Sequence, residues 1–301
     1  MEKRIVHRII EYIFFSNFFM GIMALALNIE TNIRLQLPLN TIVYYIFTTV
    51  ITILFYLFAY RIPASVNFSI NPRIAFYVKH RKSIRLFTYI LYVIALITGS
   101  VILYQSYKSL LFLGWFHYFI LCITFILSTS YYNWKFGLSL RKYTWFKPTL
   151  IAWTWAVTTV YFPLLIMQLT NHTIIALNAQ FYFLFIQTFM YFIVNAIMFD
   201  MKDYEDDTNR NLKTFVVKYG YYETLNRIIF PLISLGFLSF ILYGFYFELS
   251  LISIILLETP VVLLALFAYQ LNRKKSILFY LVAIDGMIVL KAIFGMLSTL
   301  F

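Results

Sequence analysis

Nine runs of mostly apolar residues succeed one another along the chain, at Ile9–Ile29, Thr41–Tyr60, Leu86–Gln105, Leu110–Thr129, Pro148–Gln168, Leu177–Phe199, Ile228–Tyr246, Leu249–Gln270 and Ile277–Leu300. Each holds roughly 20 residues, which as a helix crosses a hydrocarbon core of about 30 Å. Backbone polar groups in lipid must be satisfied within the segment, so such runs fold as helices. Composition agrees: 62% of the residues are hydrophobic and 12% charged, whereas a soluble domain carries about 25% charged residues. The expected fold class is therefore all-α, a polytopic membrane bundle of about nine transmembrane helices. It is read as a single transmembrane domain over residues 1–301, with long loops at about 61–85 and 200–227. The first run follows basic residues and lacks a small-residue cleavage site, so it is read as a retained span.

The net charge of +12 would suggest nucleic acid for a soluble protein. Its distribution points to a bilayer instead. The N-terminal segment and the loops after the second, fourth, sixth and eighth runs hold 21 of the 24 Lys and Arg residues. The opposite loops hold Arg34 and Lys108, and Lys291 lies within a span. Because basic loops stay inside, the N-terminus and all five basic segments are expected in the cytoplasm. The matching localisation is a bacterial inner membrane, with any site on the cytoplasmic side. Cys122, the single cysteine, excludes disulfide frameworks and reads as a small buried hydrophobe. His7, His80, His117 and His172 have no zinc-site spacing.

Between Asn32 and Phe199 there is no Asp or Glu; then Asp200, Asp203, Glu205, Asp206 and Asp207 fall within eight residues. Continued as a helix, Asp200, Asp203 and Asp207 share one face at i, i+3 and i+7. Stacked carboxylates repel unless a hard cation neutralises them, and Mg²⁺ takes one or two carboxylates together with substrate phosphates. The plainer reading is a solvated loop whose acids pair with Lys202, Arg210 and Lys213.

The residues around these acids carry a resemblance. The stretch DMKDYEDDTNRNLKTFVVKYG, from Asp200 to Gly220, resembles the second aspartate-rich motif of the UbiA family of membrane prenyltransferases. Asn211 stands where that motif has a glycine, a mild departure because Asn also tolerates a left-handed turn. A second patch, from Tyr131 to Lys135 and from Leu140 to Pro148, is similar to the family's Tyr…Lys-Arg-x-Thr-x-x-Pro segment. The resemblance implies a helical bundle around a central cavity. It also implies a prenyl diphosphate donor, a hydrophobic acceptor and Mg²⁺ as cofactor, one ion or two. Asp200, Asp203 and Asp207 would be the metal and catalytic carboxylates; Arg141, Lys142 and Lys213 would bind diphosphate. The family's first aspartate-rich motif is missing, since residues 60–73 contain no carboxylate. Asn67 and Asn71 offer weaker amide ligands there, and Arg61 and Arg73 could contact the diphosphate directly through their forked guanidinium groups.

Two further readings stay open. The chain could keep the UbiA fold without catalysis and bind a lipid or a membrane partner. Alternatively, Glu258, Asp285 and Lys291 inside spans could move protons or ions, because intramembrane ionisable groups are costly and usually functional. Glu258 and Lys291 both lie roughly 13 Å from the outer end at 1.5 Å per residue. A Glu258–Lys291 pair is therefore expected. Asp285, nearer the inner end, is expected to border the cavity beneath the acidic loop, and Pro260 to kink its span.

Overall fold

The computed structural model describes residues 2–59, 72–130, 144–172, 175–204, 208, 212–273 and 275–301. Among these residues the secondary structure is entirely helical. Twelve helices follow one another: α1 (Glu2–Phe15), α2 (Phe18–Arg34), α3 (Ile42–Ala59), α4 (Pro72–Lys79), α5 (Arg81–Leu110), α6 (Trp115–Ser130), α7 (Phe146–Asn171), α8 (Ala179–Lys202), α9 (Phe215–Tyr219), α10 (Tyr221–Tyr246), α11 (Leu251–Gln270) and α12 (Ile277–Leu300). Six of them, α5, α7, α8, α10, α11 and α12, are long and apolar enough to cross a membrane; α1 and α2 together would make a seventh if the bent pair is one span. Ile42–Phe58 and Trp115–Ser128 are shorter apolar segments. The protein is thus an all-helical, multi-pass membrane protein.

The helices close on one another in a ring. α2 packs on α3 and on α12, α3 on α5, and α5 on α7; α7 lies along α8, which meets α10, and α11 sits between α10 and α12. The main core draws Leu27 from α2, Trp155 from α7, Phe192 from α8, Phe240 from α10, Leu264 from α11 and Ile288 from α12. Trp155 and Phe192 stack with their rings 4.7 Å apart. Outward positions such as Leu96, Phe112, Phe125 and Leu242 are exposed, as a lipid-facing surface requires.

The first apolar run is not one straight helix. α1 and α2 meet at 66°, at Asn17, whose φ of 63° is left-handed. Asn is among the few residues besides Gly that visit this region routinely. Its side chain is fully buried and fastens the bend to α4: the amide donates to the Tyr77 hydroxyl at 2.8 Å, and the carbonyl accepts from Arg73. Hydropathy alone could not see this break, because the run remains apolar through it.

Other irregularities sit where polar side chains cross between helices. A π-helical segment, Val157–Tyr161, lies just before Pro163 in α7. Pro163 has no N–H to offer the carbonyl four residues back, and that carbonyl, on Thr159, accepts from Thr31 Oγ1 at 2.7 Å. Freed carbonyls in lipid need such partners. A second π segment, Tyr280–Ile284, opens α12. There Asn195 donates to the Ile284 carbonyl at 3.3 Å and Tyr191 to that of Met287 at 3.2 Å. Cys122, expected to be buried, is exposed on the outside of α6; a weakly polar thiol is tolerated at such a surface.

Candidate functional site

At one end of the bundle the chain gathers its acidic and basic side chains. α8 ends at Lys202, and Asp203 is its C-terminal cap. Asp200, one turn earlier, is buried, and its Oδ1 lies 2.5 Å from Nζ of Lys147 at the start of α7. Asp203 is 37% exposed and pairs with the neighbouring Lys202 at 2.9 Å. The helix stops at Lys202, and each acid has taken a lysine. Asp207 lies outside the described residues, as do Arg61, Asn67, Asn71, Arg141 and Lys142.

The last span reaches the same place. Asp285 is buried just beyond the π segment of α12, where the charges of Arg73 and Lys202 act on it and Asn195 lies within hydrogen-bonding reach. Arg73 comes from α4 and is itself buried. The Tyr280 ring packs against Phe199 at 5.9 Å, and its hydroxyl meets that of Tyr221 at 3.4 Å. Asp203 is close enough to act electrostatically on Tyr280. Lys213 is exposed and makes no ion pair among the described residues. It precedes Thr214, a buried hydroxyl without a hydrogen-bond partner among the described residues, and Phe215, which packs edge-on against Trp145 at 4.5 Å. Segments 144–147, 200–204 and 212–215 are thus drawn together with α4 and the start of α12.

The cluster juxtaposes cations that suit a phosphate with aromatic faces that suit an apolar chain. No three His, Cys, Asp or Glu side chains converge among the described residues, and Asp203 is the one described candidate carboxylate open to a cation.

A second polar cluster lies inside the bundle. Lys291 on α12 contacts both oxygens of Glu30 on α2, at 2.9 and 3.1 Å, and the Thr188 hydroxyl at 3.2 Å. Glu30 also meets Arg34 at 3.5 Å. Arg34 donates to Gln187 Oε1 at 3.1 Å and lies over the Tyr243 ring at 5.0 Å. The expected Glu258–Lys291 pair is therefore wrong: Lys291 is taken by Glu30, and both Glu258 oxygens are buried with no hydrogen-bond partner among the described residues. Glu30 escaped the sequence reading because it fell one residue past the end assigned to the first run. Placing it and Arg34 at i, i+4 on a continuing helix would have found the pair.

Three histidines have ordinary partners among the described residues: His80 meets Tyr12, His117 meets Tyr161, and His172 meets Ser109. No family model, curated protein or solved structure matches this chain.

Proposed function

We propose that this chain is a UbiA-like intramembrane prenyltransferase. It takes a prenyl diphosphate at the charged end of the bundle and transfers the isoprenoid chain to a hydrophobic acceptor, aromatic or lipid. The topology that goes with this reading has about nine spans, with the N-terminus and the site on the cytoplasmic side of a bacterial inner membrane. The observation that carries it is the gathering of Arg73, Lys147, Asp200, Lys202, Asp203 and Asp285 at one end, beside Tyr280 and Phe199.

In this reading the allylic C–O bond breaks and its electron pair leaves with the diphosphate. The acceptor then bonds to the carbon and gives up a proton. Stabilising the leaving charge is the main electrostatic task. In the family resembled, Mg²⁺ shares that task. Here Asp203 is the described motif carboxylate open to a cation, and Arg73, Lys202 and Lys213 would share the charge with it; the resemblance assigns Arg61, Arg141 and Lys142 to the same task. Lys202 is bound to Asp203 only at a half-open position and can exchange that partner for a phosphate oxygen. Tyr280, Tyr221 and Phe199 offer π faces to the developing cation.

A specific observation favours a second reading, a non-catalytic UbiA-type protein that binds a lipid or a membrane partner. Both described acids are already neutralised by lysines, Asp200 by Lys147 and Asp203 by Lys202. The purified chain, incubated with geranyl, farnesyl and longer diphosphates and a panel of aromatic and lipid acceptors, with and without Mg²⁺, separates the two. Diphosphate release supports transfer; no release under any condition supports the second reading.

A further inference from the structure

A small cavity lies in the seam between α8, α10 and α11. Gln187, Tyr191 and Val194 line it from α8, Gly236 and Phe240 from α10, and Val261 from α11. The space open to the centre of a water-sized sphere is about 20 Å³. By that measure one water needs at least about 10–15 Å³, so the cavity has room for a single molecule of that size. It is far from the charged end, because Gln187 precedes Asp200 on the same helix by about 20 Å at 1.5 Å per residue.

The walls are apolar except at Gln187 and Tyr191. Gln187 is 2% exposed; its Oε1 accepts from Arg34, and its Nε2 is buried without a hydrogen-bond partner among the described residues. Tyr191, one turn further on, donates its hydroxyl proton to the Met287 carbonyl at 3.2 Å. Its Oη keeps lone pairs that can accept. Side chains at i and i+4 are neighbours on a helix. The cavity thus meets an amide N–H that needs an acceptor beside a hydroxyl oxygen that can take a donor. Inside a bilayer such an N–H is costly to leave unmatched.

We propose that one water molecule is bound here as a fixed part of the fold, accepting from Gln187 Nε2 and donating to Tyr191 Oη. Size and polarity select this occupant. An acyl chain needs more space and matches neither polar group. An anion would find one N–H donor, a hydroxyl whose proton is already committed, and no Lys or Arg in the wall. Water alone supplies both an acceptor and a donor, the two partners a buried water requires. It also closes a polar ring through the bundle. The ring runs from Lys291 to Glu30, Arg34 and Gln187, through the water to Tyr191, and back to α12 at Met287. Gln187 is then held at both ends of its amide, which keeps its Oε1 on Arg34. The site does not depend on the proposed prenyl transfer.

The test is water-edited solid-state NMR of the purified chain in lipid bilayers, together with a structure that resolves ordered waters. Magnetisation should pass from water to the Gln187 side-chain amide, and one density should lie within about 3.2 Å of both Nε2 and Oη. Tyr191→Phe keeps the ring and should lose both signals. Tyr161→Phe removes another buried hydroxyl, one bonded to His117, and should keep both. Should Tyr191→Phe fail to fold, the two wild-type signals decide alone. A Gln187 amide that receives no magnetisation from water would overturn the proposal. So would a direct bond from Nε2 to a protein acceptor, a continuous apolar density, or a density that strengthens when chloride is replaced by bromide.

Discussion

The Lys291 ammonium rests between the two carboxylate oxygens of Glu30, at 2.9 and 3.1 Å, joining residues 261 positions apart in the chain. Both side chains are buried, and Arg34 stands against the same carboxylate. Removing Glu30 would leave two buried cations facing one another without an anion. Glu30→Gln should therefore destabilise the protein by about 3–5 kcal/mol, the cost of breaking a buried pair from one side. Lys291→Met should cost less, because Arg34 remains as a partner for Glu30. The double variant should be more stable than the sum of the two losses implies. Thermal unfolding in detergent, arranged as a double-mutant cycle, measures this coupling.

Gly295 touches the same pair. A Cβ added there would overlap the Glu30 carboxylate, whereas a Cβ at Gly236 would meet nothing within 4 Å. Gly295→Ala should cost about 1–3 kcal/mol by overpacking a filled site. Gly236→Ala should be neutral, or stabilising by up to about 1 kcal/mol through helix propensity. Midpoint temperatures of the two variants, taken side by side, check the difference in sign.

At the bend between α1 and α2, Asn17 combines a left-handed backbone with two buried side-chain bonds. Asn17→Gly keeps the backbone free of strain and loses only the bonds. Asn17→Ala loses the bonds and adds a left-handed penalty of about 1–2 kcal/mol. The alanine variant should be the less stable by about that amount. Equal stabilities would show that the bend is held elsewhere.

Thr31 caps the carbonyl that Pro163 frees on Thr159. Thr31→Val keeps the shape but strands that carbonyl, at a cost of about 1 kcal/mol. The control is Thr259→Val, whose exposed hydroxyl bonds only to its own helix at Ile255 and should change little.

The helices were legible in the sequence because hydropathy and length report directly on what lipid demands of a backbone. Boundaries such as Ile277–Leu300 and Ala179–Lys202 fall close to the runs that anticipated them. What escaped was set by tertiary contacts. The break at Asn17 depends on Tyr77 and Arg73, sixty and fifty-six positions away in the chain. The partner of Lys291 is on α2 because α12 packs against α2 as well as against α11; adjacency in sequence pointed to Glu258 on α11. In the candidate site, the acidic segment and Arg73 were both singled out from residue type. Lys147 was seen as part of a basic patch, but its burial against Asp200 follows from the way α7 lies along α8, which no local pattern encodes. Asp285 was expected near the acids from its depth alone, and the charges of Arg73 and Lys202 do reach it.

The central proposal is that the charged end of the bundle carries a prenyl diphosphate through bond cleavage. Its most direct test is Mg²⁺-dependent diphosphate release from prenyl diphosphates, with a panel of aromatic and lipid acceptors present, by purified wild-type chain, Asp203→Asn and Arg73→Gln. Release by the wild type, lost in Asp203→Asn and reduced at least about tenfold in Arg73→Gln, is the predicted result, with both variants folded by circular dichroism. No release from any prenyl diphosphate, or release unchanged in Asp203→Asn, would contradict it.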